Sequence, residues 1–168
     1  MTHVLRSPGP ADYDAIASWI QDAAQCVRWG GPHIPFPFSG AELPGLIASA
    51  PAIVPGEISA SFSLIAESVE SAEAVGFGQL IRQDRTSFRL GRLIVAPSRR
   101  GSGLGATLCR LLIARAESFP EAESVRLFVY RDNAAAIRLY SKLGFIEAPS
   151  HTRAEFMPMQ KSITRIER

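Results

Sequence analysis

The sequence predicts an α/β chain built around a mixed sheet, for three reasons. First, residues 61–68, 74–82 and 87–96 alternate or run apolar at strand length. Their short polar connections, 68-SVESAE-73 and 83-QDRTS-87, suit antiparallel hairpins. Second, a helical stretch opening on alternating glycines, 101-GSGLGATLCRLL-112, leads into a strand, 124-SVRLFVY-130, as a crossover between parallel strands does. Third, another helical segment, 133-NAAAIRLYSKLG-144, leads into late strands at 145–148 and 153–161. The resulting order, β-α-α-β-β-β-α-β-α-β-β, mixes hairpins with crossovers and so needs strands of both directions.

The elements can be justified in turn. Residues 3–6 form a short strand closed by Pro8-Gly9-Pro10. In 11–25, Ile16, Trp19, Ile20 and Ala23 share one helical face, with Asp12 as the expected cap. Residues 28-RWGGPHIPFPFSG-40 are expected to be irregular, because prolines and glycines punctuate them. Their large apolar side chains must nevertheless pack on a core or line a pocket. A helix over 40–49 is expected to be interrupted by Pro44. The helix after the glycines runs over 104–118. The one after it has Asn133 as N-cap and Gly144 as its stop.

Composition bounds the function. A chain of 168 residues fits one domain, 1–168, with no linker or repeat. A net charge of +2, spread without basic blocks, points away from nucleic acid and anionic membranes. Cys26 and Cys109 are far apart and suggest neither a disulfide framework nor a metal site. Cys109, among Leu108, Leu111 and Leu112, is expected to be a buried free thiol. No run approaches the roughly 18 apolar residues of a membrane span. The first residues lack the apolar core of a signal peptide, so a cytoplasmic protein is expected.

Gly101, Gly103 and Gly105 would each cost about 1 kcal/mol inside a helix. Alternating glycines at a helix start, after Arg99 and Arg100, instead suit an anion cradle of free backbone amides. Residues 101-GSGLGA-106 also satisfy the dinucleotide pattern G-x-G-x-x-[GA]. However, 97-PSRR-100 separates them from the strand, three antiparallel strands precede them, and little chain follows. A Walker motif is excluded, since no G-K-[ST] follows.

With its preceding strand, 93-LIVAPSRRGSGLG-105 resembles the R/Q-x-x-G-x-G/A hallmark of the GNAT superfamily of N-acetyltransferases. The later segment 133-NAAAIRLYSKLGF-145 matches the family's N-x-x-A-x-x-x-Y-x-x-x-G-F at every position, with one helix and one strand between the motifs. The resemblance implies a mostly antiparallel twisted sheet with helices on both faces and a splayed strand pair. It also implies acceptor-side elements at about 10–60 and an acetyl-CoA-binding half at about 87–148. The activity it implies is transfer of acetyl from acetyl-CoA to a primary amine of a small molecule or peptide. Relatives are often dimers, so a homodimer joins the expectations.

The resemblance also assigns roles. Arg99, Arg100, Gly101, Ser102, Gly103, Leu104, Gly105 and Ala106 would cradle the coenzyme A diphosphate. Leu93, Ile94 and Val95 would offer main-chain groups to the pantetheine and thioester carbonyl, while also packing in the core. Asn133 and Ala136 would contact the pantetheine arm, Asn133 while capping its helix. Tyr140 would protonate the departing thiolate. Many relatives carry a glutamate base on the strand before the glycines, but 87-SFRLGRLIVA-96 has no carboxylate. Glu67, Asp84, His151 and Glu155 are substitutes for it, none singled out. Trp29, His33, Phe36 and Phe38 are candidate walls of an amine pocket through cation–π contacts. The missing carboxylate motivates a second reading, a non-catalytic acyl-CoA-binding sensor or interaction module, against which Tyr140 argues. A nicotinamide-dependent enzyme is a third.

Overall fold

The structure is a computed structural model that describes residues 2–51, 55–66, 72–149 and 153–165. Among the described residues, seven strands form one sheet in the order β1-β2-β3-β4-β5-β7-β6. They are β1 (His3–Arg6), β2 (Ile58–Ala66), β3 (Ala74–Arg82), β4 (Ser87–Val95), β5 (Ser124–Tyr130), β6 (Ile146–Glu147) and β7 (Phe156–Ser162). Every neighbouring pair is antiparallel except β4–β5, as the hairpin and crossover signals require.

Helices cover both faces. On one face α4 (Leu104–Glu117) lays Leu108, Leu112 and Ile113 on Leu80, Phe88, Leu90 and Val125 of the strands. There α5 (Ala134–Lys142) adds Ala136, Ile137 and Tyr140. On the other face α1 (Pro10–Trp19), α2 (Ala23–Gly30) and α3 (Leu43–Ser49) cover Phe77 and Ile94 with Ile16, Trp19, Leu43 and Ile34. The alternation of strand side chains decides this division.

The structure corrects several boundaries. The helix expected over 11–25 is two helices. Asp22 accepts the Gln25 N–H at 2.8 Å and so caps α2, while Ile20 turns extended to end α1. A capping aspartate offers the amides a better partner than a continuing helix would. Asp22→Ala is therefore expected to cost about 1 kcal/mol, read as a lower denaturation midpoint. Asp12 is not the cap. Pro10 opens α1 after Gly9, and Asp12 sits in the first turn, taking the Gly9 N–H at 2.8 Å. Its carboxylate, only 4% exposed, also receives the Arg6 fork.

Arg28, Trp29 and Gly30, expected to be irregular, form the last turn of α2. Gly31 (φ +82°) closes it by returning its N–H to Val27 at 2.9 Å. Pro44 lies in the first turn of α3, where its missing N–H costs nothing, and starts that helix instead of interrupting it. β2 starts earlier than expected, and the 61–68 expectation runs into residues 67–68, outside the described residues. No described helix is long and apolar enough to cross a membrane.

Candidate active site

The site begins with a break in the sheet. β4 and β5 pair only from Ser87–Arg89 to Ser124–Arg126. Beyond that, β4 continues to Val95 and β5 to Tyr130 with no ladder between them. β4 keeps its other edge on β3, and β5 keeps its other edge on β7. The inner edges therefore face a cleft of about 160 Å³.

A β-bulge sets the wall of this cleft. Gln79 pairs with Gly91 but Phe77 pairs with Ile94, so β4 carries one extra residue there. Arg92 absorbs it at φ +45°, a left-handed conformation unusual for a side chain of this size. Trp29 of α2 holds the bulge by donating its indole N–H to the Arg92 carbonyl at 2.9 Å. Past the bulge, Leu93 joins the α4 side and Ile94 the α1–α3 side.

The chain then turns through a 3₁₀ turn, Pro97–Arg99, into the glycine loop. Gly101 (φ +76°) and Gly103 (φ +84°) are left-handed, and a Cβ on either would meet nothing within 4 Å. Conformation, not space, demands glycine there. Gly103 caps α4 with no side chain. The N–H groups from Gly101 to Ala106 reach no protein acceptor among the described residues, the first return bond being Thr107 to Gly103 at 3.1 Å. Leu104, Gly105 and Ala106 thus open the helix with its positive end exposed. A Cβ on Gly105 would meet only ordinary contacts, so the fold itself does not require glycine there. Arg99, Arg100 and Ser102 are exposed at the rim, and Arg100 reaches back to the Val95 carbonyl at 3.3 Å. This is the donor set an extended diphosphate needs, and the residues present fit that group.

Asn133 and Tyr140 both line the cleft. Asn133 caps α5, its side chain accepting the Ala136 N–H at 3.2 Å. The half-buried Tyr140 ring lies edge-on to Phe145, 6.1 Å between centroids. Burial first, and then the neighbouring Cys109, hold its phenol well above the usual range. Burial pushes the Cys109 thiol up to about 12, so that residue stays an inert thiol, as its apolar surroundings suggest.

The aromatic candidates separate. Trp29 lines the cleft, and Phe38 stacks behind it at 6.3 Å, so Phe38 packs rather than lines. His33 and Phe36 are exposed and lie outside the cleft lining. Among the wall residues not singled out from the sequence are Arg28, Arg92 and Tyr130. Arg28 lies 4.3 Å above the Tyr130 ring and forks onto Asp132 at 2.8 and 3.2 Å. Of the base substitutes, Asp84 spends its carboxylate on the turn, accepting the Thr86 and Ser87 N–H groups and the Ser87 hydroxyl. Those bonds hold it below the usual carboxylate range. Glu155 is exposed and does not line the cleft. Glu67 and His151 lie outside the described residues.

The sequence profile of the Acetyltransferase (GNAT) family matches residues 48–145, which span the bulged strand, the glycine cradle and the Asn133–Tyr140 helix. The chain belongs to the GNAT family. Solved GNAT structures share its fold. The aminoglycoside acetyltransferase AAC(6')-Ib in complex with coenzyme A aligns with a TM-score of 0.71 at 20% identity, over 96% of this chain and 95% of that one. A spermidine N-acetyltransferase from Vibrio cholerae, in complex with coenzyme A and spermine, aligns at 0.70 and 18%, over 95% of each. The ribosomal-protein-S18-alanine N-acetyltransferase of Escherichia coli aligns at 0.64 and 24%, over 99% and 97%. As a GNAT protein, the chain has its two motifs on either side of one split in one sheet.

Proposed function

We propose that this GNAT protein is an acyltransferase that moves an acetyl group from acetyl-CoA to a primary amine of a small molecule or peptide. The observation that carries this reading is the β4–β5 split, which places Tyr140 and the free edge of β4 in one cleft. The coenzyme A and acetyl-CoA complexes of its structural neighbours support the choice of donor.

Acetyl-CoA, when bound, supplies an activated thioester. The free N–H groups of Gly101–Ala106, with Arg99 and Arg100, would hold its diphosphate. The unpaired main chain of Leu93–Val95 would orient the acyl arm and hydrogen-bond the thioester oxygen as negative charge develops there. Asn133, while capping α5, would border the arm, as would Ala136. Tyr140 keeps its proton at neutral pH and would give it to the departing sulfur. The same burial that weakens the phenol as an acid would raise the proton affinity of a thiolate formed beside it.

Calorimetry with acetyl-CoA and a thiol-release assay across amine classes test the proposal. Saturable binding and release with at least one amine are expected. No binding would remove the donor. Binding without release from any amine would leave the sensor reading instead, which the missing β4 carboxylate favours.

A further inference from the structure

Among the described residues, the positive charge at and behind the cleft wall exceeds the negative charge paired with it. Two guanidinium groups, Arg89 and Arg92, meet beneath the cleft on one face of β4. Arg89 is 8% exposed. Its Nη2 lies 3.3 Å from both Glu57 oxygens, its guanidinium 6.0 Å over the Phe128 ring, and its Nε is buried without an acceptor. A Cβ on Gly91 would press on Ile81 Cδ1 at 2.9 Å and only touch Arg89 Nη1, 3.4 Å away.

Arg92 lines the cleft itself. Its Nη1 donates to a neutral atom, Gln79 Oε1, at 2.6 Å, and its Nε is also buried without an acceptor among the described residues. Gln79, 1% exposed, is fixed in that orientation because its amide donates to Ser61 Oγ at 3.1 Å. Arg92 forms no ion pair within 4.0 Å among the described residues. Burial, together with the charge of Arg89, holds Arg92 below the ordinary arginine range. Glu57 therefore answers two cations with one carboxylate, and no carboxylate lines the cleft among the described residues. At the mouth, Arg28 already has Asp132. A half-buried guanidinium left short of counter-charge is costly, and its planar fork matches the paired oxygens of a carboxylate.

We propose that the acceptor of this enzyme is a small amine that also carries a carboxylate, and that Arg92, backed by Arg89, receives that carboxylate. The inference rests on the transferase reading above and names its substrate class. The same field opposes polycationic amines such as polyamines and aminoglycosides.

The test compares amino acids with their own carboxamides, alongside spermidine, an aminoglycoside and phosphoethanolamine, in the thiol-release assay. The acids are expected to have kcat/KM at least about tenfold above the carboxamides, as loss of one charge-assisted pair predicts. Arg92→Gln should raise KM for the acid far more than it lowers kcat, the mark of lost ground-state binding. Arg92→Lys, which keeps charge without the fork, should recover only part of the loss. Equal use of acid and carboxamide, or preference for spermidine, the aminoglycoside or phosphoethanolamine, overturns the proposal. That comparison uses the wild-type protein, so a variant that fails to fold does not blunt it. Release with polyamines alone sinks this inference while leaving the transferase standing, whereas no release with any amine removes both.

Discussion

Tyr140→Phe is expected to lower kcat by about 10²- to 10⁴-fold, the usual contribution of a positioned general acid. Acetyl-CoA affinity should shift by less than about threefold, because only a hydroxyl is lost. The ring contact with Phe145 and the α5 packing survive the substitution. The pH profile gives an independent reading. The attacking amine must be neutral, and a lysine-like amine has a pKa of about 10.4. Tyr140 must be protonated, and burial raises its pKa, so its acid form persists above the usual tyrosine range. The wild-type rate should therefore climb about tenfold per pH unit from neutrality toward the amine's pKa, with no fall governed by Tyr140 in that window. Stopped thiol-release traces at saturating donor measure both effects. Unchanged turnover in the phenylalanine variant would take Tyr140 out of the mechanism.

Gly40→Ala is the substitution expected to cost most in stability. A Cβ at Gly40 would press on the backbone of Asp14 in α1, 2.5 Å from its N and 2.6 Å from its Cα. Backbone cannot rotate away as a side chain can, so α1 and the 39–43 segment must separate. That segment is otherwise fixed: Ser39 and Glu42 hold each other by side-chain and main-chain bonds, and Leu43 is fully buried. Overpacking of this kind costs about 1–3 kcal/mol. For a chain of this size, that is a fall of roughly 2–12 °C in Tm. A melt followed by circular dichroism checks it, and a Tm within about 1 °C of wild type would mean that the contact relaxes freely.

Much of the fold was legible because short-range chemistry determines it. β3 and β5 fall at the expected residues, since an apolar run bounded by polar turns leaves little choice of ends. Asn133 and Gly144 (φ +91°) bound α5 as expected, through a cap bond and a left-handed stop. Missed features depend on competition or on distant partners. Asp22 divides the first helical stretch because its side chain outbids the helix locally, although the apolar face continues on both sides. The arginines of β4 illustrate the other kind. Strict alternation would point Arg89 and Arg92 to opposite faces, so their sequence spacing argues against a shared role. The bulge adds one residue and turns Arg92 back toward Gln79, bringing the guanidinium groups together. Nothing local to 87–95 announces the bulge. The Trp29 indole that helps hold it comes from a helix far away in sequence.

The split between β4 and β5 also bears on where this sheet leaves its unpaired strand borders. Unsatisfied strand borders at the outside of a sheet invite other chains to add on, which is a route to aggregation. Here two such borders are turned inward and face each other across a narrow gap, with Trp29 of α2 and Asn133 and Tyr140 at its walls. On the proposed reading, a thin, linear amide chain would run between them and hydrogen-bond as a strand does. On that reading the molecule keeps an adhesive surface for one slender guest and turns it away from the outer borders of the sheet.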